Sequence, residues 1–350
     1  MNTLMMAAAR PAAAFVLLAG LFAAALPGTA AVAQTKITVG DIPGSAGFFI
    51  PSYVALDKGF FKKEGLDATQ VKMGGKALVT AGLGGAIDFL PIPGGGSLAV
   101  LKGAKLRFVV GQGLISQWAV VVDPKKIKKI EDIKGKTLSY GRPGGAAYDE
   151  GELVLRRHYN LKTGSDYNVI AMPAEPDRVA ALINGNVDGA LLTFPHAAKA
   201  QKAGYKILLK TGRYLPRVGG TFWVTEEYFK ANTATVKKFI RAIASAEQYF
   251  RFNKAGSVEV IQNRFGIKDP QEASFIWEEL HTEFGPDIPE FLFEKLFEGR
   301  IKGLEAQGLW PKDKPMPDLE RFVARDLLST TLREMGYYLQ APPAVQGRMK

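Results

Sequence analysis

Short apolar segments with the spacing of strands alternate with amphipathic segments of helical spacing along most of the chain, and this alternation restricts the fold more than any other feature. The segments 36–40, 68–72 and 106–110 are strand candidates, and 51–58 and 76–83 are helix candidates between them. Chains that alternate in this way build sheets with many parallel pairs and helices on both faces. The sequence therefore predicts an α/β fold in which each sheet is mixed and mostly parallel.

The alternation falls into two similar units, here called lobes. The first reaches Gly113 and the second starts at Trp118, so the chain crosses between them near 116–117 and again at 219–223. The mainly helical C-terminal segment needs a folded surface on which to pack, and we expect it to return to lobe one. Its predicted helices cover 234–252, 270–284, 289–303 and 318–335. The predicted division is a signal peptide (1–33), lobe one (34–116 and 223–340), lobe two (117–222) and a flexible tail (341–350).

The first residues have the pattern of a secretory signal peptide. Arg10 provides the positive charge, 11–26 is an apolar run, and Ala31-Val32-Ala33 follows the helix-breaking Pro27-Gly28. A membrane anchor is the alternative, but the apolar run is short for a span of about 20 residues. The sequence predicts cleavage after Ala33 and a mature protein that works in the periplasm.

Composition limits the remaining chain of about 317 residues to two domains of ordinary size. The protein has no cysteine, so it has neither disulfides nor thiolate ligands. Its formal net charge is +11, and loss of the leader removes only Arg10. In an exported protein this basicity favours anionic solutes or an acidic membrane surface over nucleic acid. The lysines of 125–136 are typical of a solvated face.

No motif for nucleotides, metals or covalent catalysis is complete. Gly135-Lys136-Thr137 resembles the end of a phosphate-binding loop, but Ile130 stands where that loop needs glycine. A dinucleotide loop at 111–113 lacks its third glycine, because Ser116 occupies that position. The histidines are His158, His196 and His281, far apart and without a His-Glu-x-x-His pair. We therefore expect no metal, no cofactor and no catalytic residue, and a protein that is not an enzyme.

Four glycine-rich loops follow predicted strands, at 40–47, 73–75, 93–97 and 141–145. Open α/β sheets hold their ligands at these strand ends, and the free N–H groups of a following helix suit an anion. Glycines can also serve only to make tight turns. Four such loops at equivalent places favour a shared binding cleft.

Several segments resemble one family. The segment 51–66 reads PSYVALDKGFFKKEGL, and 130–136 and 182–190 read IEDIKGK and LINGNVDGA. Together with 77–88 and 225–252 they are similar to solute-binding proteins of ABC importers, in the branch for nitrate, sulfonates, taurine and thiamine-precursor pyrimidines. The similarity extends over about 37–280 and says little about the ligand.

The resemblance implies a type II periplasmic binding fold whose two lobes close on a solute by hinge bending. It implies non-catalytic capture of a small organic solute and delivery to an ABC permease in the inner membrane. We expect an anion such as a sulfonate or carboxylate, a monomer, and no nucleic-acid partner. The chain departs from the family in its glycine-rich 94–96 and in lacking the cysteine cluster of the pyrimidine binders. It has Phe194 before Pro195, at a position where many relatives have an acidic or aromatic residue.

The ligand-binding residues are predicted at or beside the strand-to-helix loops of both lobes. Arg142 is the predicted anchor for an anionic group, because its planar fork can form two bonds to a carboxylate or sulfonate. It can instead point to solvent and pair with Asp149 or Glu150, and Phe194 and His196 can instead be packing residues. The predicted set is Ser45, Phe48, Phe49, Gly75, Gly96, Ser97, Arg142, Gly145, Tyr148, Phe194 and His196.

Three alternatives stay open. The first is a binding protein for a thiamine-precursor pyrimidine. The second is a periplasmic enzyme of the same fold, because catalytic groups can be assembled in space without a sequence motif. The third is a sensor or scaffold that presents this fold to a membrane receptor.

Overall fold

Strands and helices alternate through the first two thirds of the computed structural model, which describes residues 34–42, 46–143, 145–214 and 216–337. The predicted leader (1–33), Ser45 and the predicted tail (341–350) lie outside the described residues. The strands of the described part are β1 (Thr35–Asp41), β2 (Leu66–Lys72), β3 (Leu106–Ile115), β4 (Trp118–Val122), β5 (Thr137–Tyr140), β6 (Asn168–Ala171), β7 (Gly189–Thr193), β8 (Lys206–Lys210) and β9 (Pro216–Thr225).

The helices of the described part confirm the predicted α/β order and the helical C-terminal third. None of these helices is both long enough and apolar enough to cross a membrane. They are α1 (Ile50–Asp57), α2 (Phe60–Lys63), α3 (Gly75–Leu83), α4 (Pro93–Leu101), α5 (Ala146–Tyr159), α6 (Glu175–Ile183), α7 (Phe194–Lys202), α8 (Glu226–Ala231), α9 (Thr233–Phe252), α10 (Lys254–Phe265), α11 (Pro270–Leu280), α12 (Glu290–Glu305) and α13 (Arg325–Glu334).

One group of strands forms around β1. This strand pairs in parallel with β2, while β3 and β9 form an antiparallel pair. Phe89 and Leu90 connect the two pairs, because Phe89 forms a parallel bridge to Val39 and Leu90 an antiparallel bridge to Trp223. The segment between α3 and α4 therefore contributes two bridging residues and no full strand.

A second group forms one five-stranded sheet in the order β6-β5-β7-β4-β8. The strands β6 and β7 run parallel to β5, whereas β4 runs antiparallel to both β7 and β8. All five residues of β4 are buried, as expected for a central strand covered on both faces. The five-stranded sheet is mixed as predicted, but parallel pairs do not predominate among the described strands, because β4 runs against β7 and β8, and β3 runs against β9.

The second crossover lies earlier in the chain than its predicted position. Residues 219–223 are inside β9, which pairs with β3 from Pro216 to Thr225. The chain therefore leaves the five-stranded sheet after β8 and enters the first group at Pro216.

The C-terminal helices pack on the first group of strands through α9. The predicted apolar face of this helix is buried, and the Phe239 ring stacks on Phe89 with centroids 3.7 Å apart. Helix α11 also packs against α7, and Lys199 of α7 donates a hydrogen bond of 3.0 Å to the carbonyl of Phe265. The C-terminal segment thus packs on the first group of strands and also contacts a helix that flanks the five-stranded sheet.

Candidate functional site

A cavity of about 640 Å³ opens where the ends of strands and the beginnings of helices meet. Its walls come from the segment between β1 and α1, the helices α3 and α4, the β3–β4 connection with the beginning of β4, the loop after β5 with α5, and the elements β9 and α12. Sites for small organic molecules have volumes of about 300–1,000 Å³. The cavity therefore has the size for one such molecule.

Parallel pairing explains why two of these walls meet. Asp41 at the end of β1 is in register with Lys72 at the end of β2, so both strands end at the same edge. The chain then turns into α1 after one strand and into α3 after the other. Ligands of open α/β sheets bind at this edge, beyond the carboxyl ends of the strands.

Aromatic and aliphatic side chains form much of the cavity wall. Phe48 and Trp118 come from different parts of the chain, yet their ring centroids lie only 5.7 Å apart. Such a wall suits the hydrocarbon body of a ligand. The apolar lining residues are Ile42, Phe48, Phe49, Val79, Ile92, Leu98, Ala99, Trp118, Val218 and Leu296.

Positive charge predominates among the ionisable side chains that line the cavity. Lys76, Lys102 and Arg142 are exposed, and Arg300 is partly buried. Glu150 is the one carboxylate among the described lining residues, and it is only 1% exposed. The cavity therefore favours a negatively charged ligand.

The Glu150 carboxylate belongs to a buried polar network at the back of the cavity. The hydroxyl of Ser116 donates a hydrogen bond to Glu150 Oε1 and lies 2.8 Å from the hydroxyl of Thr211. Thr211 in turn donates to the carbonyl of Trp118 at 3.0 Å. Ser116 lies between β3 and β4, and Thr211 lies between β8 and β9. The network therefore connects both of these chain segments to α5, which carries Glu150.

Five of the predicted binding residues line the cavity. They are Phe48, Phe49, Gly75, Arg142 and Gly145. Ser45 lies outside the described residues.

Two predicted residues on α4 lie on its inward face and do not line the cavity. A Cβ on Gly96 would run into the indole of Trp223, so this position faces the core. Ser97 is fully buried, and its hydroxyl donates to the carbonyl of Gly94 at 3.1 Å.

The predicted residues Tyr148, Phe194 and His196 also lie outside the cavity wall. Tyr148 is partly buried and meets the Tyr140 ring edge-on. Phe194 is 2% exposed. His196 Nδ1 lies 3.0 Å from Glu175 Oε2. Direct ligand contact by these residues stays a prediction.

Asp41, the acid in the loop at 40–47, is not among the described residues that line the cavity. It is buried and accepts a hydrogen bond of 2.7 Å from the hydroxyl of Tyr53. Burial first, and the Asp41 charge second, raise the pKa of Tyr53 well above its ordinary value. Asp41 thus supports the loop from behind, and Glu150 is the acid at the cavity.

Sequence reasoning missed several lining residues, and only some of them gave a signal. Ser116 stood at a predicted crossover, and Gly94 and Gly95 stood in a predicted loop. Leu296 and Arg300 gave none, because α12 reaches the cavity only through the tertiary packing of the C-terminal segment. Among the described residues, no group of three histidine, cysteine or acidic side chains could hold a metal ion.

Comparison with known proteins identifies the fold and the family. The model of the family described as "NMT1/THI5 like" matches residues 47–253. "Putative binding protein YtlA" of Bacillus subtilis (strain 168) is 28% identical over 295 residues, which cover 81% of this chain and 87% of that protein.

Two solved structures share the fold at low sequence identity. The periplasmic aliphatic sulphonate binding protein SsuA from Escherichia coli superposes with a TM-score of 0.67 at 19% identity, covering 85% of this chain and 99% of SsuA. The desulfurization enzyme DSZB gives a TM-score of 0.62 at 13% identity, covering 86% of this chain and 100% of the enzyme. Since the family model covers more than half of the sequence, this chain belongs to the NMT1/THI5-like family.

Proposed function

We propose that this protein captures a small organic anion with an apolar body and delivers it, chemically unchanged, to an ABC permease. The observation that carries the proposal is the cavity itself. It combines an aromatic wall at Phe48 and Trp118 with four cationic side chains and a single carboxylate among its described lining residues. An apolar body would lie against the rings while its acidic group meets the positive charge.

The relatives support capture rather than catalysis. YtlA is named as a binding protein, and SsuA as a periplasmic binding protein for aliphatic sulphonates. DSZB shows that the same fold can carry an enzyme. Against that alternative, the chain has no cysteine, and the described cavity lining includes no histidine to act as a general base.

The proposed mode of capture is closure of two lobes. One lobe would contain β1, β2, β3 and β9 with the C-terminal helices, and the other the sheet of β4 to β8. The hinge would be the connection between β3 and β4 and the connection that begins at Thr211, where the Ser116 and Thr211 hydroxyls lie 2.8 Å apart. The proposed place of work is the periplasm, after cleavage behind Ala33, and N-terminal sequencing of exported protein checks that site.

A thermal-shift screen of the purified mature protein tests the function. Sulfonates, carboxylates, nitrate and pyrimidines are added singly, and a ligand at one hundred times its dissociation constant should stabilise the fold by about 2.7 kcal/mol. Stabilisation by anions supports the proposal. Stabilisation by neutral pyrimidines alone contradicts it. If chromatography detects that the protein converts a bound compound into another, the protein is an enzyme.

A matched pair of variants shows whether the stabilising compound occupies this cavity. Val79→Trp fills the cavity from α3, whereas Leu83→Trp places the same ring one turn later, at a side chain that is 49% exposed. We expect the first variant to lose the ligand-induced shift and the second to keep it. Equal shifts in both variants would place the ligand elsewhere.

A further inference from the structure

Two buried glutamines near the cavity are the strongest feature that the proposed function leaves unexplained. Gln112 lies on β3 and Gln117 lies in the connection from β3 to β4, and both side chains are fully buried. Among the residues that the structure describes, the nitrogen and the oxygen of both carboxamides lack a hydrogen-bond partner. Buried amide groups are nearly always hydrogen-bonded, because an unpaired polar group is costly to remove from water. These two exceptions therefore need a reason.

Gln117 lies at a contact between the two proposed lobes. A Cβ on Gly47 would be 3.1 Å from Gln117 Oε1. The same Cβ would be 3.4 Å from Pro195 Cδ and 3.5 Å from Thr193 Cβ. Gly47 lies between β1 and α1, whereas Thr193 ends β7 and Pro195 lies in the first turn of α7. Because these segments belong to different lobes, separation of the lobes would open the contact and admit water to the carboxamide of Gln117.

Thr193 directs its own donors to another residue. Its N–H group and its hydroxyl both donate to Glu175 Oε2, each at 2.8 Å. Glu175 is buried, and a buried carboxylate retains such donors because they replace the water that it has lost. Contact between the lobes therefore covers Gln117 without giving it a hydrogen bond from Thr193.

Gln112 has the same side chain in a different place. A Cβ on Gly220 would be 3.1 Å from the Cβ of Gln112, and the Gln112 carbonyl accepts a hydrogen bond of 3.3 Å from the N–H of Gly285. Gly220 is on β9 and Gly285 is in the C-terminal segment, so both neighbours belong to the same proposed lobe as β3. These two contacts stay in place when the lobes separate. Gln112 is therefore a matched reference for Gln117.

We propose that Gln117 is a positioning residue that limits the affinity for the ligand, because its carboxamide loses water when the lobes close and gains no hydrogen bond in return. It acts through the contact between Gly47 and the end of β7, and it does not itself touch the ligand. This inference rests on the proposed function and adds the residue that sets how readily the lobes close. When only the closed form binds, apparent affinity is proportional to the closed fraction of the free protein, and the desolvation of Gln117 lowers that fraction.

Calorimetry on the variant Gln117→Met tests the inference. Methionine is unbranched like glutamine and lacks its strong donor and acceptor. The probes are benzenesulfonate, hexanesulfonate and hexanoate, with any further anion that stabilises the protein in the thermal-shift screen. Gln117→Met should bind its probe at least about fivefold more tightly than the wild type, which corresponds to the lower end of the penalty for one unpaired buried polar group.

Two further variants distinguish this role from a general effect on stability. Gln117→Glu should weaken binding about tenfold or more, because closure would then bury a charge. Gln112→Met removes the same groups from an equally buried side chain within one lobe. It should raise the free energy of unfolding and change the affinity by less than about twofold, below the effect expected at Gln117. Melting temperatures without a probe confirm that each variant folds.

The outcomes separate this inference from the proposed function. Weaker or unchanged binding by Gln117→Met would mean that the carboxamide binds the probe or a water molecule, or is not desolvated on closure, and overturns the inference. An equal gain in affinity in Gln112→Met and Gln117→Met also overturns it, because the effect would not come from the contact between the lobes. Anion capture stands in both cases. Absence of binding by every anion in calorimetry and in the thermal-shift screen overturns anion capture and the inference together.

Discussion

The hydroxyl of Ser116 donates a hydrogen bond to the buried carboxylate of Glu150, at the point where the chain passes from β3 to β4. The two residues are 34 positions apart in sequence and are both only 1% exposed. A buried carboxylate needs donors to replace the water that it has lost. The bond therefore fixes the β3–β4 connection to α5.

Ser116→Ala should lower the free energy of unfolding by about 1.5–3 kcal/mol, because it removes one donor from a buried charged group. Urea unfolding followed by tryptophan fluorescence measures the change. Ser165→Ala is the control, since that hydroxyl is exposed and forms only a 3.5 Å contact to the carbonyl of Lys162; it should change stability by less than about 0.5 kcal/mol. Equal effects of both variants would show that the Ser116 bond carries no stability.

Arg142→Ala should weaken binding of the best anion by about 1.5–3 kcal/mol, the range for a hydrogen bond to a charged group. Arg142 lines the cavity in the loop after β5. Arg157→Ala is the matched control, because Arg157 is exposed on α5 and does not line the cavity. Calorimetry measures both variants. A loss below about 0.5 kcal/mol for Arg142→Ala would exclude it as the anchor.

Two adjacent glycines of α4 should respond oppositely to alanine. A Cβ on Gly96 would run into the Trp223 indole, so Gly96→Ala should destabilise the protein by about 1–3 kcal/mol through overpacking. A Cβ on Gly95 would meet Ile92 at 3.4 Å, so Gly95→Ala should be neutral or stabilise by up to about 1 kcal/mol, since alanine favours helix. Urea unfolding measures the free energy of unfolding of both variants. Equal destabilisation would contradict the difference in packing between the two positions.

Glu247 should make stability fall as pH rises. The carboxyl group is buried on α9, and burial raises its pKa well above the ordinary value, although Arg251 and the Tyr337 hydroxyl act in the opposite direction. The folded state therefore binds this proton more tightly than the unfolded state. The contribution is fully present below the unfolded pKa of about 4.3 and is lost as pH rises towards the folded value, with a slope of at most about 1.4 kcal/mol per pH unit.

Glu247→Gln should remove that slope, so the variant should gain stability relative to the wild type as pH rises from about 4 to 8, across the range where the unfolded glutamate loses its proton. Urea unfolding at several pH values gives the difference between the two curves. Glu298→Gln, at an exposed position of α12, should run parallel to the wild type. Parallel curves for Glu247→Gln as well would show that the group titrates alike in both states.

The sequence predicts the elements well where one periodic pattern decides. The apolar residues of 234–252 recur at helical spacing, and the same residues form the buried face of α9. It fails at the second crossover, since the residues 219–223 read equally well as a connection and as the end of a strand, and only pairing with β3 settles that. Helix α10 was also missed, although Asn253 caps it by accepting a hydrogen bond from the N–H of Gly256.

The residues that line the cavity also fall into those that a local sequence pattern predicts and those that it does not. Phe48, Gly75 and Arg142, which line the cavity, were predicted because a glycine-rich loop after a strand marks the edge where ligands of open α/β sheets bind. Direction within a loop or helix cannot be read from sequence, so Gly96 was predicted at a cavity that it does not line, and Arg300, which lines it, was not predicted. Gly96 faces Trp223, and Arg300 enters from a helix that no local pattern connects to the cavity.

Ion pairs between the C-terminal helices and the five-stranded sheet lead to the last prediction. Lys202 of α7 lies 3.2 Å from Asp269, and Lys210 at the end of β8 lies 2.5 Å from Glu279 of α11. These contacts join the two proposed lobes on one side. If ligand binding requires the lobes to close and these contacts form only in the closed state, they stabilise that state and so increase apparent affinity.

The double variant Lys202→Gln, Lys210→Gln should therefore bind the ligand about two- to thirtyfold more weakly, because exposed ion pairs contribute about 0.2–1 kcal/mol each and the variant removes two of them. Lys254→Gln is the matched control, since its 2.6 Å pair with Glu278 joins α10 to α11 and does not reach the sheet. Small-angle scattering should show that saturating ligand shrinks the wild type, and that the ligand-free double variant has a larger radius of gyration than the ligand-free wild type. An unchanged radius in every state would mean a rigid protein, in which these lysines cannot act through closure.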